Sequence, residues 1–148
     1  MAHDGAGCLA MDGLLAKQKA AHLRDGAPSA EQRIERLDRA IDLLVTHSGA
    51  LCEAMREDFG HRSIDQSGLT DIATSLGALK FAKKNLRVWM RAQRREVDFP
   101  LGLLGARAEI RFQPKGVVGL ISPWNFPVSM VFNPLAGIFA AGNRRMIK

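Results

Sequence analysis

Cysteine is scarce in this chain, with Cys8 and Cys52 the only two among 148 residues. Two thiols make no disulfide framework for a chain of this size, so a reducing compartment is expected. An export signal is missing too: Asp4 and Gly5 stand where a basic start and an apolar run would be needed. A cytoplasmic location is expected. His3, His22, His47 and His61 have neither ligand spacing nor a helpful neighbouring cysteine, which argues against a metal site. Internal repeats and low-complexity segments are absent as well, which sets aside solenoids and arrays.

Two further absences are local. No acidic residue interrupts Lys80 to Arg95, which holds seven Lys or Arg. The rest of the chain carries 14 basic against 15 acidic residues, so the formal charge of +6 belongs to this stretch. Phe81 and Trp89 interleave with the basic residues there, which opens a second reading, an interaction module for nucleic acid or a membrane surface. The plain alternative is a solvated helix whose basic carboxyl end suits the helix dipole, and it is preferred. No nucleic-acid partner is expected.

The other gap is a run without any charge, Gly116 to Asn143, long enough to cross a bilayer. Pro123, Pro127 and Pro134, with Asn125 and Asn133 inside the run, would break a spanning helix and strand polar groups in lipid. A buried strand, a turn and a helix account for the same residues, and no membrane span is expected.

What is present reads first as helix. Asp12 to Arg24 is expected to be helical and to end at Asp25-Gly26, where glycine can take a left-handed cap. Ser29 with Gln32 forms a capping box, and Ile34, Leu37, Ile41, Leu44 and Val45 then recur at helical spacing. Arg33, Glu35, Arg36, Asp38 and Arg39 fill the other faces. Ser48 is expected to cap a separate helix through Leu51 and Met55 that stops near Phe59-Gly60, with a loop through Ser63 and Asp65 after it. Thr70 to Arg91 predicts a third long helix, with Ile72, Leu76, Leu79, Leu86 and Met90 on its apolar side.

Past Pro100 the pattern changes. Gly102 and Gly105 mark a loop, and Ala106 to Gln113 alternates as a strand with one wet face. Val117, Val118, Leu120 and Ile121 form the unbroken aliphatic run of a strand buried on both faces. Val128 to Ala141 predicts a crossover helix, in which Pro134 fits only near the first turn, and Met146-Ile147-Lys148 begins a second, parallel strand. A parallel pair of this kind leaves strand edges uncovered, so the chain is expected to be the amino-terminal part of something longer. The best internal boundary is Phe99 to Gly105.

Pro123-Trp124-Asn125-Phe126-Pro127 sits at the carboxyl end of the first buried strand, the edge where open α/β sheets bind ligands. Two prolines stiffen the tripeptide between them, so the Asn125 amide is a fixed donor that does not titrate. Such donors, aimed at a developing negative oxygen, serve acyl-transfer chemistry. Alone, an asparagine between prolines is more often a turn residue, Trp124 could fill a core, and Lys148 could simply be solvated.

The longer pattern is more specific. Gln113-Pro114-Lys115-Gly116-Val117-Val118-Gly119-Leu120-Ile121-Ser122-Pro123-Trp124-Asn125-Phe126-Pro127, then Ala140-Ala141-Gly142-Asn143 and Lys148, resembles the aldehyde dehydrogenase superfamily. The 23 positions from Asn125 to Lys148 match the spacing of the corresponding Asn and Lys in that family. Asp58-Phe59-Gly60-His61-Arg62-Ser63, Thr70-Asp71-Ile72 and Leu86-Arg87-Val88-Trp89-Met90 resemble its coniferyl aldehyde dehydrogenase branch. The resemblance runs from about Leu14 to the last residue.

It implies an α/β fold: amino-terminal helices over 12–100, after a flexible tail over 1–11, then residues 101–148 beginning a doubly wound, Rossmann-like NAD(P)-binding domain. It also implies an enzyme that oxidises an aldehyde, aromatic and coniferaldehyde-like, to the acid. A cysteine thiolate attacks, hydride passes to NAD or NADP, and water hydrolyses the thioester. Asn125 would bind the oxyanion, Ile121, Ser122 and Trp124 would line the cofactor groove, and Lys148 would hydrogen-bond the adenosine ribose. The nucleophile and the glutamate base would follow Lys148, since Cys8 and Cys52 match no nucleophile position. The fragment alone would then be inactive, and the complete enzyme a homodimer or homotetramer. A non-catalytic remnant is the remaining alternative. One departure from the family pattern, Arg144-Arg145 at the entry to the second strand, puts the burial of that strand's start in question.

Overall fold

The computed structural model of the chain describes residues 5–148, with side chains from Ala10 onward. Helix α1 spans Gly5–Asp25, so it begins seven residues before the expected Asp12; residues 1–4 of the expected tail, and the Cys8 side chain, lie outside the described residues. It ends as its sequence implies, with Gly26 at φ 68 and its N–H donating to the His22 carbonyl.

Helix α2 runs unbroken over Ala30–Phe59. The Ser29–Gln32 capping box forms reciprocally, and Gly60 closes the far end in the left-handed region. Ser48 does not cap a separate helix. Its hydroxyl donates back to the Val45 carbonyl at 3.0 Å, and Leu44, Cys52 and Met55 keep one buried face continuous across the expected break.

The next helix also starts earlier than expected. Ser63 is the N-cap of α3 (Ile64–Ser67), so Asp65 lies in a helix rather than a loop. A π-helical segment over Gly68–Ala73 and then α4 (Thr74–Trp89) continue with helical dihedrals at each junction. The basic stretch does not stay helical to Arg95. After Trp89 the chain turns, and Gln93–Arg95 forms β1, paired antiparallel with β2 (Ala108–Ile110) around the Phe99–Gly105 segment. Both faces of β2 are exposed rather than one.

Leu37 and Leu44 of α2 and Leu79 and Leu86 of α4 are fully buried against each other's helices, together with Leu135 and Phe139 of α5 (Ser129–Ala140). Each such leucine contributes about 2 kcal/mol of burial. Strand β3 (Val117–Leu120) pairs in parallel with β4 (Arg144–Ile147), with α5 as the crossover and α1 also against the pair. This is the start of a parallel α/β sheet. Strand β3 is half-buried instead of buried on both faces, and Ile121 just beyond it is 83% exposed, because its ladder partner is β4 alone among the described residues.

Helix α5 carries two surprises. Pro134 is its sixth residue, not part of its first turn, and so withholds a donor from the Met130 carbonyl. Both residues are exposed, which lets water take that bond. Arg33, expected on an outer face, is buried: Nε donates to the Pro28 carbonyl at 3.0 Å and Nη1 to the Ala140 carbonyl at 2.9 Å. The guanidinium thereby meets the negative end of the α5 dipole. Burial, with repulsion from Arg36 second, pushes its pKa down from the ordinary arginine value.

The arginines at the entry to β4 are accommodated separately. Arg144 reaches Gln18 at 3.1 Å and Asp25 at 2.6 Å on α1, while the Arg145 guanidinium lies 4.7 Å from the Phe139 ring centroid. The strand therefore alternates between half-buried and exposed residues from its first position.

Gly142 has φ 79, and a Cβ there would lie 2.7 Å from the Arg33 Cζ. Gly142→Ala is expected to cost about 2 kcal/mol, from left-handed backbone strain and displacement of Arg33. Gly49→Ala, in the exposed middle of α2 with open space around it, should instead gain about 0.5–1 kcal/mol. Urea unfolding of the two variants beside the parent protein checks both signs.

Candidate functional site

The parallel ladder extends past both strands, to Ser122 two residues beyond β3 and to Lys148 one residue beyond β4. Lys148 N–H donates to the Leu120 carbonyl and Ser122 N–H to the Lys148 carbonyl, both at 2.9 Å. Lys148 thus stands opposite Ile121, with the Ser122 amide bonded to its carbonyl, at the carboxyl edge of the sheet. Ile121, between Leu120 and Ser122, stands 83% exposed there.

The chain then enters the proline-bracketed turn. Trp124 is 78% exposed and stacks on Phe59 at the end of α2, with ring centroids 6.1 Å apart and planes at 29°. Asn125 is exposed, and its main-chain carbonyl accepts from Arg62 Nη2 at 2.6 Å. That bond occupies the backbone and leaves the side-chain amide able to donate elsewhere.

Prolines alone do not hold this turn. The Arg62 guanidinium lies 4.1 Å from the Phe59 centroid and 5.0 Å from that of Phe126, so one cation spans the rings on both sides. Asp71, in the π-helical segment and fully buried, accepts at Oδ1 from Val128 N–H at 3.1 Å and Ser129 N–H at 2.9 Å. Its Oδ2 is 3.5 Å from Arg62 Nη1 and accepts from the Thr70 hydroxyl at 3.3 Å. A carboxylate at the first amides of α5 also meets the positive end of that helix dipole.

Arg62 and Asp71 are therefore the side chains that hold this turn, and reasoning from sequence did not single them out. One signal was available: Ser67, Asp71 and Ser75 recur at four-residue spacing, and all three are buried. A polar row on an otherwise apolar helix face implies a polar partner.

Elsewhere the chemistry is quieter. Cys52 is buried in α2, and desolvation, then the charge of Asp71, pushes its thiol above the ordinary range. A thiol held protonated makes a poor nucleophile. Among the described residues no group of three or more His, Cys, Asp or Glu could hold a metal, and no helix is long and apolar enough to cross a membrane. Among the described residues, two of the seven basic residues from Lys80 to Arg95 form ion pairs, Lys83 with Asp38 at 2.5 Å and Arg87 with Glu31 at 2.9 Å, and Arg95 donates to Gln93 Oε1 at 2.8 Å. A cavity of about 570 Å³, lined in part by Trp89, Met90 and Phe112, shares no residue with the sheet edge.

Comparison with known proteins fits this geometry. The chain belongs to the aldehyde dehydrogenase family, whose model matches residues 11–148. It is 56% identical over 139 residues to a protein named probable coniferyl aldehyde dehydrogenase from Caulobacter vibrioides, covering 93% of this chain and 29% of that protein. It is 48% identical over 134 residues to a coniferyl aldehyde dehydrogenase from a Pseudomonas species, covering 90% of this chain and 27% of the relative. The chain thus spans less than a third of the length of these relatives. Among solved structures, the substrate-bound AldH of Staphylococcus aureus superposes with a TM-score of 0.83 at 28% identity, covering 93% of this chain and 29% of that one. PnpE in complex with nicotinamide adenine dinucleotide gives 0.77 at 25% identity, covering 93% and 27%.

The Cys52 environment makes a measurable difference. At pH 8 Cys52 of the folded protein is expected to label with iodoacetamide far more slowly than that of the urea-unfolded protein, because burial both hides the thiol and holds it protonated. Because burial raises the pKa, the gap should narrow as the pH rises, since the unfolded thiol becomes fully thiolate before the folded one does. Peptide mass spectrometry of the alkylated cysteine reads the rate.

Proposed function

We propose that this chain supplies the oxyanion donor and one wall of the cofactor groove in an NAD(P)-dependent aldehyde dehydrogenase acting on an aromatic, coniferaldehyde-like aldehyde. The observation that carries the reading is the Asn125 turn, fastened by Arg62 and Asp71 at the carboxyl edge of a parallel strand pair. The names of the two coniferyl relatives support the substrate class.

In this reading the Asn125 amide donates to the aldehyde oxygen as a thiolate adds to the carbonyl carbon, and the bond strengthens as charge develops. Ile121, Ser122 and Trp124 line the nicotinamide cofactor's groove, and Lys148 donates to the adenosine ribose. The adjacency of Ser122 and Lys148 at an open sheet edge suits such a ligand. NAD or NADP, when bound, accepts the hydride of the aldehyde carbon. The attacking cysteine and the glutamate base belong to sequence outside these 148 residues, and neither Cys8 nor Cys52 serves as the nucleophile.

Residues 12–100 act as a helical platform and 101–148 as the opening of the cofactor domain. The complete enzyme works in the cytoplasm as a homodimer or homotetramer, without nucleic acid. The exposed basic residues are solvated, and two of them tie α4 to α2.

The test is made in the complete enzyme. Asn125→Ala is expected to lower turnover about a hundredfold to a thousandfold, as removal of one oxyanion donor does, with the KM for NAD little changed. Asn125→Asp should be at least as damaging, since an anion would face a developing anion. Near-normal turnover in either folded variant overturns the reading. The 148 residues alone should form no NADH from coniferaldehyde above a protein-free control.

A further inference from the structure

We infer that Arg62 and Asp71 are positioning residues for the reaction, acting through Asn125. The inference rests on the proposed role of Asn125 and adds the groups that hold its donor in place. Three contacts on the turn converge on these two side chains. Arg62 fixes the Asn125 carbonyl, its guanidinium is flanked by the Phe59 and Phe126 rings, and Asp71 fixes the amides of Val128 and Ser129 just past the turn. Pro127 has no N–H to offer, so the bonds to Asn125 and Val128 lie on either side of the only two intervening residues.

Burial makes the arrangement demanding. The Asp71 side chain is 0% exposed and that of Arg62 is 10%; they pair at 3.5 Å without a hydrogen bond between them, since Arg62 Nη1 has no hydrogen-bond partner among the described residues, and the Arg62 charge is compensated by Asp71, the two rings and the Asn125 carbonyl. Neither side chain can leave the other without stranding a charge. Asp71 also sits in a π-helical segment, a local departure from α geometry that recurs at functional sites because it re-aims a side chain. The pair therefore couples the helices before it to the turn after it. With Ser122 held by the sheet ladder before Asn125 and the Arg62 and Asp71 bonds holding the backbone after it, the Asn125 amide keeps little beyond side-chain freedom, and small displacements of a catalytic group lower rates steeply.

A merely structural role would lower stability without acting specifically through Asn125, and a double-mutant cycle in the complete enzyme separates the two. Arg62→Gln is expected to lower kcat by about tenfold to a hundredfold while the KM for NAD stays within about threefold. In an Asn125→Ala background the same change should cost less than about twofold, because the donor it positions is gone. Arg62→Lys, which keeps the charge beside Asp71 and one donor, should recover part of the loss and remain folded if the glutamine variant is not. For an unfolded Arg62→Gln, the cycle is run with Arg62→Lys and read in the same way. Multiplicative losses, or an unchanged kcat in the folded single variant, overturn the positioning role while leaving Asn125 as the oxyanion donor. Full turnover in Asn125→Ala alone overturns that underlying role, and the positioning role with it.

Discussion

One buried carboxylate connects the two halves of this chain. Asp71 receives the first free amides of α5, and those amides follow directly on the Pro123–Pro127 turn. Helix termini normally leave such donors to water or to a capping side chain nearby in sequence. Here Val128 provides no side-chain cap, and the acceptor comes from 57 residues upstream. The opposite end of α5 has the complementary arrangement, with the buried Arg33 guanidinium donating to the Ala140 carbonyl. An anion stands at the positive pole and a cation at the negative one, so both buried charges oppose the helix dipole rather than add to it.

Much of the chain's architecture follows from that pair. Arg33 belongs to α2 and Asp71 to the π-helical segment ahead of α4, so the crossover helix is fastened to the helical platform at each end. Burial of Leu37, Leu44, Leu79 and Leu86 supplies non-directional adhesion, while the two charges set the register in which α5 docks. Gly142 is needed because Arg33 passes so close to the backbone there. The sheet edge that carries the proposed site inherits this rigidity, since β3 ends and the Asn125 turn begins between elements that are already anchored.

Local patterns in the sequence were legible where they depended on nearest neighbours. The capping box at Ser29, the left-handed stop at Gly26, the crossover helix and the parallel second strand all follow from short-range chemistry. Ser48 misled because a serine can cap a helix or bond back within one, and the choice is made by the continuous buried face through Cys52. The basic run past Trp89 looked helical because nothing in it forbids a helix, whereas its strand pairing is decided by residues 108–110. Of the candidate site, Asn125, Ser122 and Lys148 could be named from motif and spacing. Arg62 and Asp71 could not be assigned a role that way, because their partners lie 63 and 57 residues off in sequence.

Amide hydrogen exchange at Val128 and Ser129 in the complete protein probes the Asp71 anchor most directly. If a buried carboxylate holds these first-turn amides, they exchange as slowly as the core amides of Leu79 and Leu86 in α4, and Asp71→Ala releases them selectively. Rapid exchange of Val128 and Ser129 in the parent protein, at rates typical of an uncapped helix start, would contradict the account.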